Sequence, residues 1–363
     1  MTIEAFKPIW ALGLMSGTSI DGIDVALIET DGEQVFDIGP ASTIPYSAGL
    51  ERSIRGSLGQ RVVDATLIND ITHAHAIATK TLLSRHPEYK EKLTVVGLHG
   101  HTVLHAPGEG ITVQVGNGLK LAKLIGYDVV YDFRTEDVTA GGQGAPLAPL
   151  YHEALSQGLR GPVSVVNIGG ISNITWIDRS GGAPPVAFDT GPGNALLDDW
   201  IKSKTELPYD LNGLVSSAGK PDTAIVLELM SDPYFSAPPP KSLDRMSFNY
   251  SLIDGLSAED GAATLVRFTC ESLTKSLSLI PSLPAQLLVT GGGRHNPTMI
   301  ETLAKLSEIP VNPVETVGWD GDAIEAQAFA FLAVRSLRSL PISLPSTTGV
   351  STPTTGGKIA SAS

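Results

Sequence analysis

The chain of 363 residues is 42% apolar and 17% charged, which suits one large or two medium hydrophobic cores and argues against disorder. Its 38 acidic residues against 25 basic ones give a formal charge of −13, so a sequence-blind nucleic-acid binder or a polybasic membrane adaptor would act against its own field, and neither nucleic acid nor membrane is an expected partner. The lone cysteine, Cys270, excludes an intrachain disulfide and a cysteine-ligated metal cluster, and no segment approaches the ~18 uninterrupted apolar residues of a membrane helix or shows a leader pattern, so a cytoplasmic location is expected.

In chain order, residues 10–15 read as a strand, followed by the small polar loop Ser16-Gly17-Thr18-Ser19, a second apolar run over 23–29, a turn at Asp31-Gly32 and a short strand at 35–38. A helix is expected over 62–84, strands at 93–98 and 112–115, a helix at 119–125 and a strand at 128–133. The glycine-rich run 141–144 breaks this pattern, and a boundary is placed at 134–142. The second half repeats the opening grammar: a strand at 163–168, the loop Gly169-Gly170-Ile171-Ser172, apolar residues over 173–177, a turn and a strand at 186–188. Helices are expected over 146–156, 195–204, 223–230, 260–279, 297–306 and 322–337, with a strand at 286–290. The Pro-, Ser-, Thr- and Gly-rich tail after Leu340 reads as irregular. These boundaries give an N-terminal domain over 1–133, joined in one reading by 341–363, and a C-terminal domain over 134–340.

Two strand–loop–strand units are the main structural signal, because small-residue loops let backbone N–H groups approach a phosphate, and two facing loops would clamp one nucleotide. The first places hydroxyls, glycines and two carboxylates at Gly17, Thr18, Ser19, Ile20, Asp21, Gly22, Ile23 and Asp24; a tight polar hairpin without a ligand is the alternative, and the ending of a Walker loop is missing. Asp189, in Phe188-Asp189-Thr190-Gly191, sits where a strand gives way to a helix, a place suited to a general base; helix capping is the alternative, although Asn194 is the more natural cap. Gly291, Gly292 and Gly293 follow a strand and precede a helix, forming either a shelf for a nucleotide or a plain turn. His99 and His101 would share one face of a continuing strand, which suits hydrogen bonds to a polyol or carboxylate better than zinc, since a third metal ligand is not evident. Arg134 ends the next strand and could grip an anionic substrate group or form an ion pair. Glu325 lies in an Ala-rich helix, as a solvated edge or as a site residue, and Lys241 and Arg245 read as solvated loop charges with a phosphate contact as the other reading.

Taken together, the runs Met15 to Asp24, His99-Gly100 with Thr102, Asp132-Phe133-Arg134, Ala140 to Leu147, Val166 to Asn173, Phe188 to Asn194, Gly291 to Gly293 with Asn296, and Glu325-Ala326 resemble the anhydro-N-acetylmuramic acid kinases of bacteria, relatives of actin, hexokinase and Hsp70. The family's pattern usually has Gln where this chain has His101, which would introduce pH sensitivity there. The resemblance implies an α/β, two-domain actin-like (ribonuclease H-like) ATPase fold with the active site in an interdomain cleft. It also implies ATP with Mg2+ as cofactors, an anhydrosugar substrate and, since the family is commonly dimeric, a homodimer. It further implies that 17–24 and 291–293 hold the nucleotide, that Asp189 is the catalytic base, and that Arg134 and Glu325 line the sugar site. Kinases for another anhydrosugar, such as levoglucosan, and a non-catalytic nucleotide-binding module are the competing readings.

Overall fold

The computed structural model describes residues 6–17, 19–243 and 251–363, and contacts divide the chain into two compact units, residues 1–156 with 322–363, and residues 157–321. The first unit is built on a sheet whose path is β12-β6-β4-β1-β2-β3, with β5 paired to β4. The strands are β1 (Ile9–Ser16), β2 (Gly22–Thr30), β3 (Val35–Pro45), β4 (Leu93–Ala106), β5 (Ile111–Val115), β6 (Asp128–Tyr131) and β12 (Lys358–Ala360). β1 to β3 form an antiparallel meander, while β4 and β6 run parallel to β1 and its neighbour. Leu12, Leu14, Val25, Leu27, Val96 and Leu98 pack with Leu82 and Leu121 into one core of this unit.

The boundary expected at 134–142 lies elsewhere, because helix Pro149–Leu155 and helix Ile324–Leu337 belong to the first unit. Glycines explain the second of these. A Cβ on Gly13 of β1 would stand 1.7 Å from the Ala326 carbonyl oxygen, and one on Gly97 of β4 would stand 2.1 Å from that of Phe329. The Ala-rich helix therefore lies directly on the strand backbones, an approach only glycine permits. The tail expected to be irregular is in part regular: β12 pairs with β6, Ala360 joins the core, and Val350 is buried. A three-residue strand carries too little alternation to be read from composition.

The second unit holds the sheet β11-β10-β7-β8-β9, made of β7 (Val163–Ile168), β8 (Ile171–Ile177), β9 (Val186–Pro192), β10 (Leu287–Thr290) and β11 (Val311–Pro313). β7, β8 and β9 repeat the antiparallel meander of the first unit, and β10 and β11 run parallel to β7 and to each other. Helices Asn194–Lys204, Ala258–Ser276 and Pro297–Ser307 contribute Trp200, Phe268, Cys270 and Met299 to its core. Burial drives the thiol of Cys270 well above its usual range, so it behaves as an apolar filler.

Candidate active site

In the first unit the loop after β1 is short because β1 and β2 are in register from Met15↔Asp24 outward. Ile20 adopts φ +60°, rare for a β-branched residue, and its side chain is held by Ile54, Leu67, Ile71, Val103 and Val115. Such an outlier persists only where its surroundings over-determine it, which is common in ligand-clamping loops. Ile20 and Ile23 are both buried, so only their backbones are available to a ligand, whereas Ser19 and Asp21 are exposed and joined by a 2.7 Å hydrogen bond from Ser19 Oγ. Gly22 leaves room for the Ile44 carbonyl, which a Cβ would approach to 2.6 Å, and Arg55 donates to the Ser19 carbonyl oxygen at 3.1 Å. Thr18 lies outside the described residues.

Asp24 carries the clearest electrostatic signature. Burial pushes its carboxyl up to about 6, assisted by the negative charges of Glu325, Asp21 and Asp322 and opposed by a hydrogen bond from Thr43 Oγ1, 2.6 Å long. Glu325, in the first turn of helix Ile324–Leu337, is half-buried and within reach of Asp24's field. The sequence offered no sign that these two carboxylates share a neighbourhood.

β4 continues past Leu98, but the two histidines do not converge on one ligand. Gly100 takes φ +73° between them. His99 Nδ1 pairs with the Gly100 carbonyl at 2.9 Å, and its Nε2 accepts from Arg134 Nε at 3.1 Å. Arg134 also donates to the Gly144 carbonyl at 2.7 Å. Burial, and then the guanidinium of Arg134, hold His99 neutral well below its usual pKa. His99 lines a cavity of about 240 Å³ together with Thr112, Gln114, Tyr131 and Asp132; Gln114 and Asp132 are polar wall residues to which the sequence reading gave no role. His101, expected to bond substrate, is only 1% exposed and turns to Ser16, with Nδ1 2.9 Å from Ser16 Oγ. The expected pH sensitivity is corrected as well, since burial lowers His101 to about 4 and keeps the ring neutral near pH 7.

In the second unit Asp189 lies within β9, opposite Asn173, because the strand continues to Pro192 instead of ending at Phe188. It is 8% exposed. The Leu243 amide donates to its Oδ2 at 2.8 Å, its own amide donates to the Lys241 carbonyl at 3.0 Å, and the Tyr234 hydroxyl donates to its carbonyl at 2.5 Å. Lys241, read as a solvated charge, is only 9% exposed. Its ammonium donates to the Tyr234 carbonyl at 2.7 Å and stands 4.3 Å from the Tyr234 ring centroid. Burial lowers it to about 8, against the attraction of Asp189. Arg245 lies outside the described residues.

Helix Asn194–Lys204 is capped by Gly193, not by Asn194, whose side-chain amide donates to the Ile168 carbonyl at 2.9 Å. That bond ties the start of the helix to the end of β7, whose carbonyl also lies against the glycine run after β10, 2.7 Å from where a Cβ on Gly291 would stand. Gly291, at φ +74°, would place a Cβ 2.3 Å from Asn167 Oδ1, and Gly193 would place one 2.2 Å from the Gly169 carbonyl. Two glycine turns thus meet beside one helix N-terminus, a backbone shelf suited to anionic oxygens. Buried Arg294 braces it through Glu315 at 2.8 Å and the Gly291 carbonyl at 3.0 Å.

Among the described residues, no helix is long and apolar enough to cross a membrane. The family model described as anhydro-N-acetylmuramic acid kinase matches residues 9–362. Proteins of that name from Rhodospirillum rubrum and Paramagnetospirillum magneticum are each 49% identical, covering 98% and 96% of this chain and 95% and 98% of their own lengths. A solved structure of the (R)-2-hydroxyglutaryl-CoA dehydratase component A from Acidaminococcus fermentans superposes with a TM-score of 0.51 at 13% identity, covering 91% of this chain and 99% of that one. This likeness shows the fold, an α/β fold of two units of the actin-like type, each built on one sheet.

Proposed function

From the premise that the chain belongs to the anhydro-N-acetylmuramic acid kinase family, we propose that it uses ATP to open the 1,6-anhydro ring of 1,6-anhydro-N-acetylmuramic acid and phosphorylate O6, with Asp189 as base. The products are N-acetylmuramic acid 6-phosphate and ADP, and the reaction returns cell-wall sugar to cytoplasmic metabolism. The observation that carries the chemistry is Asp189, an almost enclosed carboxylate whose Oδ2 is fixed by the Leu243 amide beside the ammonium of Lys241.

Hydrolysis of a glycosidic bond ordinarily takes two carboxyl groups, one protonating the leaving oxygen and one activating water. Here Asp189 takes a proton from water, whose oxygen bonds to C1 as the C1–O6 bond breaks; O6 bonds to the γ-phosphorus, and the bond to the bridging oxygen breaks to release ADP. The phosphoryl group replaces the acid, so one base suffices. The backbones of 17–24 and 291–293 bind phosphate oxygens and the nucleotide, and His99, Arg134 and Glu325 orient the sugar. Asp24, whose raised carboxyl fits a neighbouring cation, would hold Mg2+ directly or through water. Bound there, the ion would supply neutralisation of phosphate charge.

Asp189→Asn, which keeps shape and removes the base, should lower kcat by about 100- to 10,000-fold. ADP release coupled to 1,6-anhydro-N-acetylmuramic acid should exceed that with levoglucosan in the parent enzyme. Full activity in Asp189→Asn, or preference for levoglucosan, would contradict the assignment of the base or of the substrate respectively.

A further inference from the structure

Two imidazoles of the first unit, His75 in helix Ala65–Arg85 and His101 in β4, are 0% and 1% exposed, and the reaction above gives neither a role. Tyr46 donates its hydroxyl to Ser16 Oγ at 2.8 Å, and His101 Nδ1 lies 2.9 Å from the same oxygen, whose two lone pairs and one hydrogen can serve both neighbours. His75 Nδ1 lies 2.8 Å from the Ile71 carbonyl oxygen; a carbonyl only accepts, so His75 Nδ1 carries the hydrogen and Nε2 is bare. Both Nε2 atoms are buried without a partner among the described residues. His75 Nε2 is an acceptor, a water can serve His101 Nε2 in either tautomer, and His75 is near enough to make His101 less basic.

We propose that His75 and His101 share one buried water through their Nε2 atoms, and that the resulting chain from Tyr46 through Ser16, His101 and the water makes His75 a positioning residue for the loop 17–24. Enclosed polar atoms are satisfied as a rule, and one water satisfies this pair. Ser16 is the last residue of β1, so clamping its hydroxyl from Tyr46 and His101 sets where the loop departs. The same helix supports the loop a second time, since Ile71, one turn before His75, packs with Ile20. The inference rests on the reading of 17–24 as the phosphate loop.

Side-chain nitrogen NMR of the full-length protein without nucleotide should find His75 protonated on Nδ1 and both rings neutral at pH 6, and a crystal structure should place one water within hydrogen-bond distance of both Nε2 atoms. In steady-state kinetics His75→Phe should raise KM for ATP about fivefold, the equivalent of one hydrogen bond, with KM for the anhydrosugar unchanged. His75→Gln, whose side-chain oxygen can accept from the water, should restore it. His75 protonated on Nε2, a dry gap, an unchanged KM for ATP in His75→Phe, or equal defects in the Phe and Gln variants overturns the proposal. Should His75→Phe not fold, the His75 tautomer and the water still decide. The expected His75 tautomer and water combined with a normal KM for ATP in Asp24→Asn would mean that the network stands and the nucleotide reading of the loop fails.

Discussion

Replacing Asp24 by Asn should make the protein more stable and a poorer enzyme, and the size of the first effect follows from the structure. The Asp24 carboxyl is held at about 6 against its usual 3.8, chiefly by burial. At about 1.4 kcal/mol per pH unit the ionised group costs the folded state at most about 3 kcal/mol, and the part of the residue that solvent reaches brings the expected cost to about 1–2 kcal/mol. Below pH 4 the group is protonated in both folded and unfolded chains, so the variant and the parent differ little. Between pH 4 and 6 the unfolded chain ionises while the folded one resists, and the parent loses stability; above pH 6 the full penalty remains. Asn keeps an acceptor for Thr43 Oγ1 and carries no charge. Urea denaturation followed by circular dichroism should therefore show Asp24→Asn gaining about 1–2 kcal/mol at pH 8 and almost nothing at pH 4, while KM for Mg·ATP rises at least tenfold as a cation and phosphate contact is lost. A variant less stable than the parent at pH 8, or a gain independent of pH, would refute the reasoning.

Lys241 is lowered to about 8, so the parent should lose kcat/KM as pH rises through 8 and Lys241 gives up its charge. Lys241→Arg, which stays charged, should move that limb upward; an unmoved limb would assign it to another group. Gly13→Ala would push a Cβ into the Ala326 carbonyl, so the melting temperature should fall by an amount corresponding to about 3 kcal/mol, and a neutral result would mean that helix Ile324–Leu337 does not rest on β1.

The paired meanders were legible because each is local: apolar runs separated by small polar loops, repeated at 10–29 and 163–177, become β1 with β2 and β7 with β8. What stayed hidden depended on residues distant in sequence. Nothing near Gly13 or Gly97 announces that an Ala-rich helix from the end of the chain will lie on them, so that helix read as part of the second half. Lys358–Ala360 has no alternation of its own and becomes a strand only because β6 offers an open edge. At the site, the glycine run 291–293 stood out by its place between a strand and a helix, whereas Asp189, read at a strand end, lies within β9. The enclosure of Lys241 inside a Pro-rich run, and the turning of His101 toward Ser16, are products of packing, which residue type and spacing do not encode.

In the proposed reaction water attacks C1 of the sugar while O6 of the anhydro bridge receives phosphate. A short-time turnover of 1,6-anhydro-N-acetylmuramic acid with ATP in oxygen-18-labelled water, quenched before anomeric exchange and read by mass spectrometry, tests it directly. That reaction leaves one labelled oxygen on C1 of the sugar 6-phosphate and none in its phosphoryl group. Labelled inorganic phosphate beside unopened anhydrosugar would contradict it, leaving an ATPase that does not act on the sugar.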